Sequence, residues 1–141
     1  MIVSDVMTAN PACCTPNTLL SDVARMMLEN DCGEIPVIED RDNPLLLGVI
    51  TDRDIVVRAV AQGRGADTPV AEVMTNDVVS VRDDADLEEC LAKMEEHQIR
   101  RVPVLDGAGR ICGIVAQADI ALNTGRLETG EVVRDISRTS H

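Results

Sequence analysis

The chain has 141 residues, of which 45% are apolar and none is Phe, Tyr or Trp, and 13 basic against 25 acidic residues give a formal charge of −12. The apolar share excludes a disordered chain, and no apolar run nears the roughly 20 residues a membrane span requires. So acidic a surface disfavours general nucleic-acid binding, which rests on neutralising phosphates.

In chain order, an extended ACC at 12–14 precedes a helix whose Leu20, Val23, Ala24 and Met27 share one face, with Thr18 as the expected N-cap. Two strands follow, IPVIE and LLLGVIT, joined by DRDNP, and DRDIVVRAVAQG reads as a second helix. GRGADTP at 63–69, rich in Gly and ending in Pro, reads as a linker. The pattern then returns: extended VVSV at 78–81, a helix striped by Leu87, Cys90, Leu91 and Met94 with Asp84 as cap, strands RVPVLD and ICGIVA around GAG, and helix QADIALNTG. The tail TGEVVRDISRTSH suggests a short helix with Val132, Val133 and Ile136 on one side.

Three blocks repeat in the same order. VSDVMT at 3–8 returns as VAEVMT at 70–75, IPVIED at 35–40 as VPVLDG at 102–107, and GVITDRDI at 48–55 as GIVAQADI at 113–120. Such self-similarity marks a duplicated unit. The expected organisation is repeat 1 over 1–62, a linker over 63–69, repeat 2 over 70–125 and a tail over 126–141. The fold class is α/β (α+β), β-α-β-β-α twice. A unit of about 60 residues has a thin core alone, so the two copies are expected to pack about a pseudo-twofold axis and share one core, leaving a cleft per copy.

MIVSDVMTANPACC carries neither a basic n-region nor a long apolar stretch, so a secretory signal is not expected and the chain reads as soluble and cytoplasmic. Its five cysteines form no C-x-x-C pair, which favours buried thiols in a reducing compartment. The neighbours Cys13 and Cys14 leave open a redox or metal role, with no His nearby in sequence to support it.

Thr51 and Asp54, at the end of GVITDRD, admit two readings. One is a capping box, Thr51 accepting the Asp54 amide while the carboxylate reaches back, worth about 1 kcal/mol. The other is a ligand site, in which free amides and a hydroxyl suit a phosphate and a carboxylate one turn on suits the two hydroxyls of a ribose. Arg100 and Arg101, adjacent at a strand mouth in an acidic chain, suit phosphates through their forked donors. Ile35, Ile50, Val102 and Val115 are apolar wall candidates, with simple core packing the better reading for any one of them. His97 sits at a helix end, a comfortable structural place. No G-x-S-x-G, H-E-x-x-H or Walker-type motif occurs, so no catalytic activity is expected.

DVMT with EVMT, GEIPVIED with RRVPVLD, and GVITDRD with GIVAQAD resemble the cystathionine β-synthase (CBS) domain family over about residues 1–125. TDRDIVVRAVAQG and MEEHQIRRVPV resemble its stand-alone two-domain members, the hypoxic response proteins among them. The resemblance implies a paired module, disc-shaped homodimers, and AMP, ADP or ATP in the clefts, with no cofactor required and no metal. It implies that G-x-x-[ST]-x-x-D holds the ligand, which Gly48, Thr51 and Asp54 match in full. Gly113 and Asp119 match in the second copy, where Ala116 replaces the hydroxyl and predicts a weaker site. It also implies that Arg101, with Arg100 second, meets phosphates. The expected function is a regulatory adenosine-nucleotide sensor that signals to a separate effector protein and contacts neither nucleic acid nor membrane. The alternatives are an interaction or dimerisation module with degenerate clefts, which Ala116 favours, and a cysteine-based sensor.

Overall fold

Both strand–turn–strand stretches form antiparallel hairpins in the computed structural model, which describes residues 1–123. The expected tail at 126–141 lies outside the described residues. In chain order the elements are β1 (Thr8–Ala9), α1 (Leu20–Asn30), β2 (Glu34–Ile38), β3 (Leu46–Thr51), α2 (Asp52–Asp54), β4 (Val81–Arg82), α3 (Leu87–His97), β5 (Arg101–Leu105), β6 (Ile111–Ala116) and α4 (Gln117–Asn123). The chain beyond α2 widens into a π-helical turn, Ile55–Ala59, tightens into a 3₁₀ turn, Val60–Gln62, and stops at Gly63, whose φ of +76° is left-handed. The mixed α/β class expected from the periodicities is the one observed.

The residues divide into two units that do not follow the order of the repeats. One is Ala12–Val78; the other is Met1–Pro11 with residues 79–123. The VMT segments account for the difference. Thr8 and Ala9 of the first VMT segment pair with Ile114 and Gly113 of β6, while Thr75 of the second pairs with Val49 of β3. Each hairpin thus takes its edge partner from the other sequence repeat. GRGADTP belongs to the first unit: Pro69 bridges Leu19, and the buried Thr68 donates to the Gly65 carbonyl at 2.7 Å.

Within Ala12–Val78, Leu20, Val23 and Met27 of α1 pack with Ile35, Val37 and Ile50 of the hairpin and with Val70, Val73 and Met74. Ala24, expected on the buried face, is exposed. Within the second unit, Leu87, Cys90 and Met94 of α3 pack with Val3, Val6, Val102, Val104, Val115 and Ile120. Each unit holds its own cluster. β2 pairs β3 from Glu34 against Thr51, β5 pairs β6 from Arg101 against Ala116, and both registers shift at the same place, after Val37 and after Val104. The extended pieces ahead of the helices pair in parallel, Cys14 with Val37 and Val81 with Val104.

The helix caps differ from the expected ones. The first amides of α1, on Leu20 and Ser21, donate to the carbonyls of Thr68 and Ala66 at 3.0 Å each. Leu19, not Thr18, holds the N-cap position, and the Thr18 hydroxyl accepts the Thr15 amide. In α3 the N-cap is Asp86, the Leu87 amide donates to the Met1 carbonyl, and Asp84 pairs instead with Arg82 at 3.2 Å. Backbone carbonyls thus satisfy amides that a side chain was expected to take.

All five thiols are free, and Cys13, Cys14 and Cys90 are buried. Burial, opposed in part by the Arg41 charge, pushes Cys13 up to about 11, and burial with the neighbouring Cys13 pushes Cys14 up to about 12. Burial pushes Cys90 up to about 11. Thiolate is the reactive form, so these three are expected to resist a thiol reagent at about pH 8 in the folded chain and to react once it is unfolded. The folded state keeps protons that an unfolded thiol releases above its ordinary value of 9.0. Stability is therefore full below that value and falls as pH rises toward about 11 to 12, by about 1.4 kcal/mol per thiol for each pH unit. Fast labelling of Cys13 or Cys14 in the folded chain would contradict this and revive a redox role.

Candidate functional site

Thr51 ends β3 in extended conformation and begins α2, so its side chain and that of Asp54 face each other across one turn. The Asp54 amide donates to Thr51 Oγ1 at 3.0 Å, and the Thr51 amide donates to Asp54 Oδ2 at 3.1 Å. The capping box is therefore formed in full. It does not exhaust the carboxylate. The Thr75 hydroxyl, brought in by the Val49–Thr75 pairing, lies 3.2 Å from Oδ2 and 3.3 Å from Oδ1. Arg58 Nε stands 3.8 Å from Oδ1 while its Nη1 donates to the Met74 carbonyl at 3.1 Å. Asp54 is 8% exposed, one of two buried polar or charged side chains among the described residues. Both amide and hydroxyl donors fall on Oδ2; Oδ1 shares the hydroxyl and carries the ion pair, so it retains room for a further donor.

The second unit repeats this with one member missing. The Ala116 amide donates to Asp119 Oδ2 at 3.0 Å, and the Thr8 hydroxyl lies 3.4 and 3.5 Å from the two carboxylate oxygens. Asp119 thus keeps half the capping box and its threonine, although Ala116 offers no hydroxyl. The strand-end amide and the VMT threonine hold Asp119 in place without a side-chain cap at Ala116.

The glycines of the motif have a steric reason. A Cβ on Gly48 would collide with the Thr75 carbonyl oxygen and the Met74 methyl. One on Gly113 would meet Met7 and lie 3.0 Å from the Thr8 carbonyl oxygen. Glycine is needed there for the VMT segment to pair. Ile35, Ile50, Val102 and Val115, offered above as walls, are at most 1% exposed and sit inside the two clusters, Ile35 opposite Ile50 and Val102 opposite Val115. They are core residues that hold the strand ends in place.

Arg101 is the β5 residue opposite Ala116, and the Gln117 amide donates to the Arg100 carbonyl at 3.1 Å. Arg101 thus lies across from the residue whose amide donates to Asp119, and neither arginine forms an ion pair within 4 Å among the described residues. The matching mouth of the first unit has Glu34 opposite Thr51, and the Asp52 amide donates to the Gly33 carbonyl at 2.9 Å. His97, in the last turn of α3, lies 4.0 Å from Glu96, an exposed surface arrangement. No group of three or more metal-ligating side chains occurs among the described residues. No helix there is long and apolar enough to cross a membrane.

Sequence reasoning missed Thr75, Thr8 and Arg58. Arg58 lies four residues after Asp54, a spacing that signals an ion pair on a helix face. The threonines were visible as repeat markers in VMT, but nothing in their own neighbourhood says which carboxylate they reach.

The CBS-domain family model matches residues 3–60 and 70–123. The CBS domain-containing protein YhcV of Bacillus subtilis is 40% identical over 96% of this chain and 94% of its own length. Among solved structures, Hypoxic Response Protein I with two coordinated zinc ions aligns with a TM-score of 0.78 and 37% identity, over 89% of this chain and all of that one. The CBS domain pair of MJ0100 in complex with 5-methylthioadenosine and S-adenosyl-L-methionine gives 0.73 and 28%, over 93% and 98%. CBSX2 in complex with AMP gives 0.72 and 26%, over 99% and 98%.

Proposed function

The chain belongs to the CBS-domain family, carrying two such domains in tandem, and on that footing we propose that it is a regulatory module that binds an adenosine-type ligand and has no catalytic activity of its own. The observation that carries this is the carboxylate at the matching place in each unit, the buried Asp54 and the half-buried Asp119, each held by a strand-end amide and by the threonine of a VMT segment. Such a carboxylate is fixed in position and can accept the hydroxyls of a ribose. Methylthioadenosine, S-adenosylmethionine and AMP in the MJ0100 and CBSX2 structures support an adenosine ligand here. Gly48 and Gly113 serve by letting the threonines approach, and Arg100 and Arg101 are the proposed phosphate partners of the second unit. A ligand changes the module's output only through different contacts in two states; a separate effector and a homodimer complete the proposal.

The absence of aromatic residues makes the test simple, because the chain contributes almost nothing to the purine absorption band. Gently purified protein is heat-precipitated and the supernatant spectrum recorded. A purine band, identified by mass spectrometry as an adenosine compound, is the expected result. A flat supernatant, together with no uptake of adenosine or AMP on dialysis, would turn the reading toward an interaction module with empty sites.

A further inference from the structure

The two oxygens of the Asp54 carboxylate are engaged unequally. Oδ2 accepts the Thr51 amide at 3.1 Å and lies 3.2 Å from the Thr75 hydroxyl. Oδ1 lies 3.3 Å from that same hydroxyl and 3.8 Å from Arg58 Nε. A hydroxyl has one proton to give, so Oδ1 keeps acceptor capacity beside Arg58.

Arg58 is held there at both ends. Its Nη1 donates to the Met74 carbonyl at 3.1 Å, and Met74 precedes the Thr75 that pairs with Val49 of β3. Its backbone lies in the π-helical turn Ile55–Ala59, whose Ala59 is buried in the cluster of the Ala12–Val78 unit. Single π-helical turns recur at functional sites. The Arg58 side chain is 52% exposed, while the carboxylate it faces is 11% exposed. Solvent therefore reaches the guanidinium, and the fold fixes its place beside the acid.

A separation of 3.8 Å exceeds a hydrogen bond. It suits a group that donates to the carboxylate and accepts from the guanidinium, and a hydroxyl does both with one oxygen. A ribose hydroxyl is such a group. Apart from the bond to Met74 and the Asp54 ion pair, the guanidinium has no partner among the described residues, so its donors remain available.

We propose that Arg58 is a further ribose-contacting and specificity-determining residue of the Ala12–Val78 unit: Asp54 Oδ1 accepts a ribose hydroxyl, and Arg58 donates to the oxygen of that same hydroxyl. This rests on the reading of Asp54 as a ribose carboxylate and adds how the unit tells ribose from a deoxy sugar. The second repeat has Asn123 at the same offset from Asp119, so the assignment is to the first unit alone.

Nuclear magnetic resonance titration of the full chain with adenosine and, separately, with 2′,3′-dideoxyadenosine tests it. The amide signals of Thr51 and Asp54 read occupancy of this unit. The wild type is expected to bind adenosine more tightly than the dideoxy compound, and its Arg58 Nε signal to move with adenosine only. Arg58→Met, an unbranched side chain without donors, is expected to weaken adenosine roughly tenfold and leave the dideoxy compound unchanged, so the preference narrows by that factor. Arg58→Lys keeps the charge and a donor, and is expected to retain more of the preference than Arg58→Met. Equal weakening of both compounds in Arg58→Met would make Arg58 a structural residue and overturn the assignment. Adenosine binding that is unchanged or tighter in Arg58→Met, or an Nε signal indifferent to adenosine, would overturn it too, and all three results leave the adenosine reading standing. A wild type that binds neither compound would overturn the adenosine reading and the assignment with it.

Discussion

Asp54→Ala is expected to lower the stability of the chain by about 2–4 kcal/mol and to remove ligand binding from the Ala12–Val78 unit. The substitution strips an acceptor from the Thr51 amide and the Thr75 hydroxyl, and leaves Arg58 without its carboxylate. A buried donor left unmatched costs more than the bond itself contributed. Urea denaturation measures the loss. Asp54→Asn separates structure from binding, because its carbonyl oxygen can still accept the Thr51 amide. It is expected to keep most of the stability while losing the charge that strengthens a bond to ribose hydroxyls. Asp119→Ala, with longer threonine contacts of 3.4 and 3.5 Å, is expected to cost less. Equal losses at the two positions would mean that Arg58 and the shorter contacts contribute nothing.

Gly48→Ala is expected to destabilise by about 3 kcal/mol, among the largest effects available from a single added methyl group. The new Cβ meets the Thr75 carbonyl oxygen, a backbone atom that also accepts the Val49 amide at 2.9 Å, so relief requires breaking that pairing. Moving Thr75 also withdraws its hydroxyl from Asp54, and the site is expected to weaken with the fold. Gly113→Ala is expected to cost about half as much: its tightest contacts are with the flexible Met7 side chain, which can swing away, although the Thr8 carbonyl oxygen at 3.0 Å must also yield. A Gly48→Ala chain as stable as the wild type would show that the VMT segment is not held against β3.

The hairpins, the helix stripes and the duplication were legible because each is a local period or a fixed offset. Ile35 opposite Ile50 and Val102 opposite Val115 follow from the alternation of the strands. The composition of the two units was not legible. Thr8 and Thr75 are equivalent in sequence, and either suits Asp54 or Asp119; only the path of the chain decides which pairs form. The helix caps were misplaced for a related reason, since carbonyls of Thr68, Ala66 and Met1 carry no side-chain signal. At the site, Thr51 and Asp54 were readable as a geometry that serves capping and ligand alike, and the capping half is the one the bonds display.

The central claim is that the paired carboxylates hold an adenosine ligand, and the most direct measurement is the purine band inside a dialysis bag at equilibrium with AMP and with adenosine. The chain itself is nearly transparent there, so any excess over the outer solution is bound ligand. An excess for the wild type that disappears in Asp54→Asn with Asp119→Asn, while that variant still melts cooperatively, is the predicted result. An undiminished excess in the folded double variant, or none in the wild type, would contradict the claim.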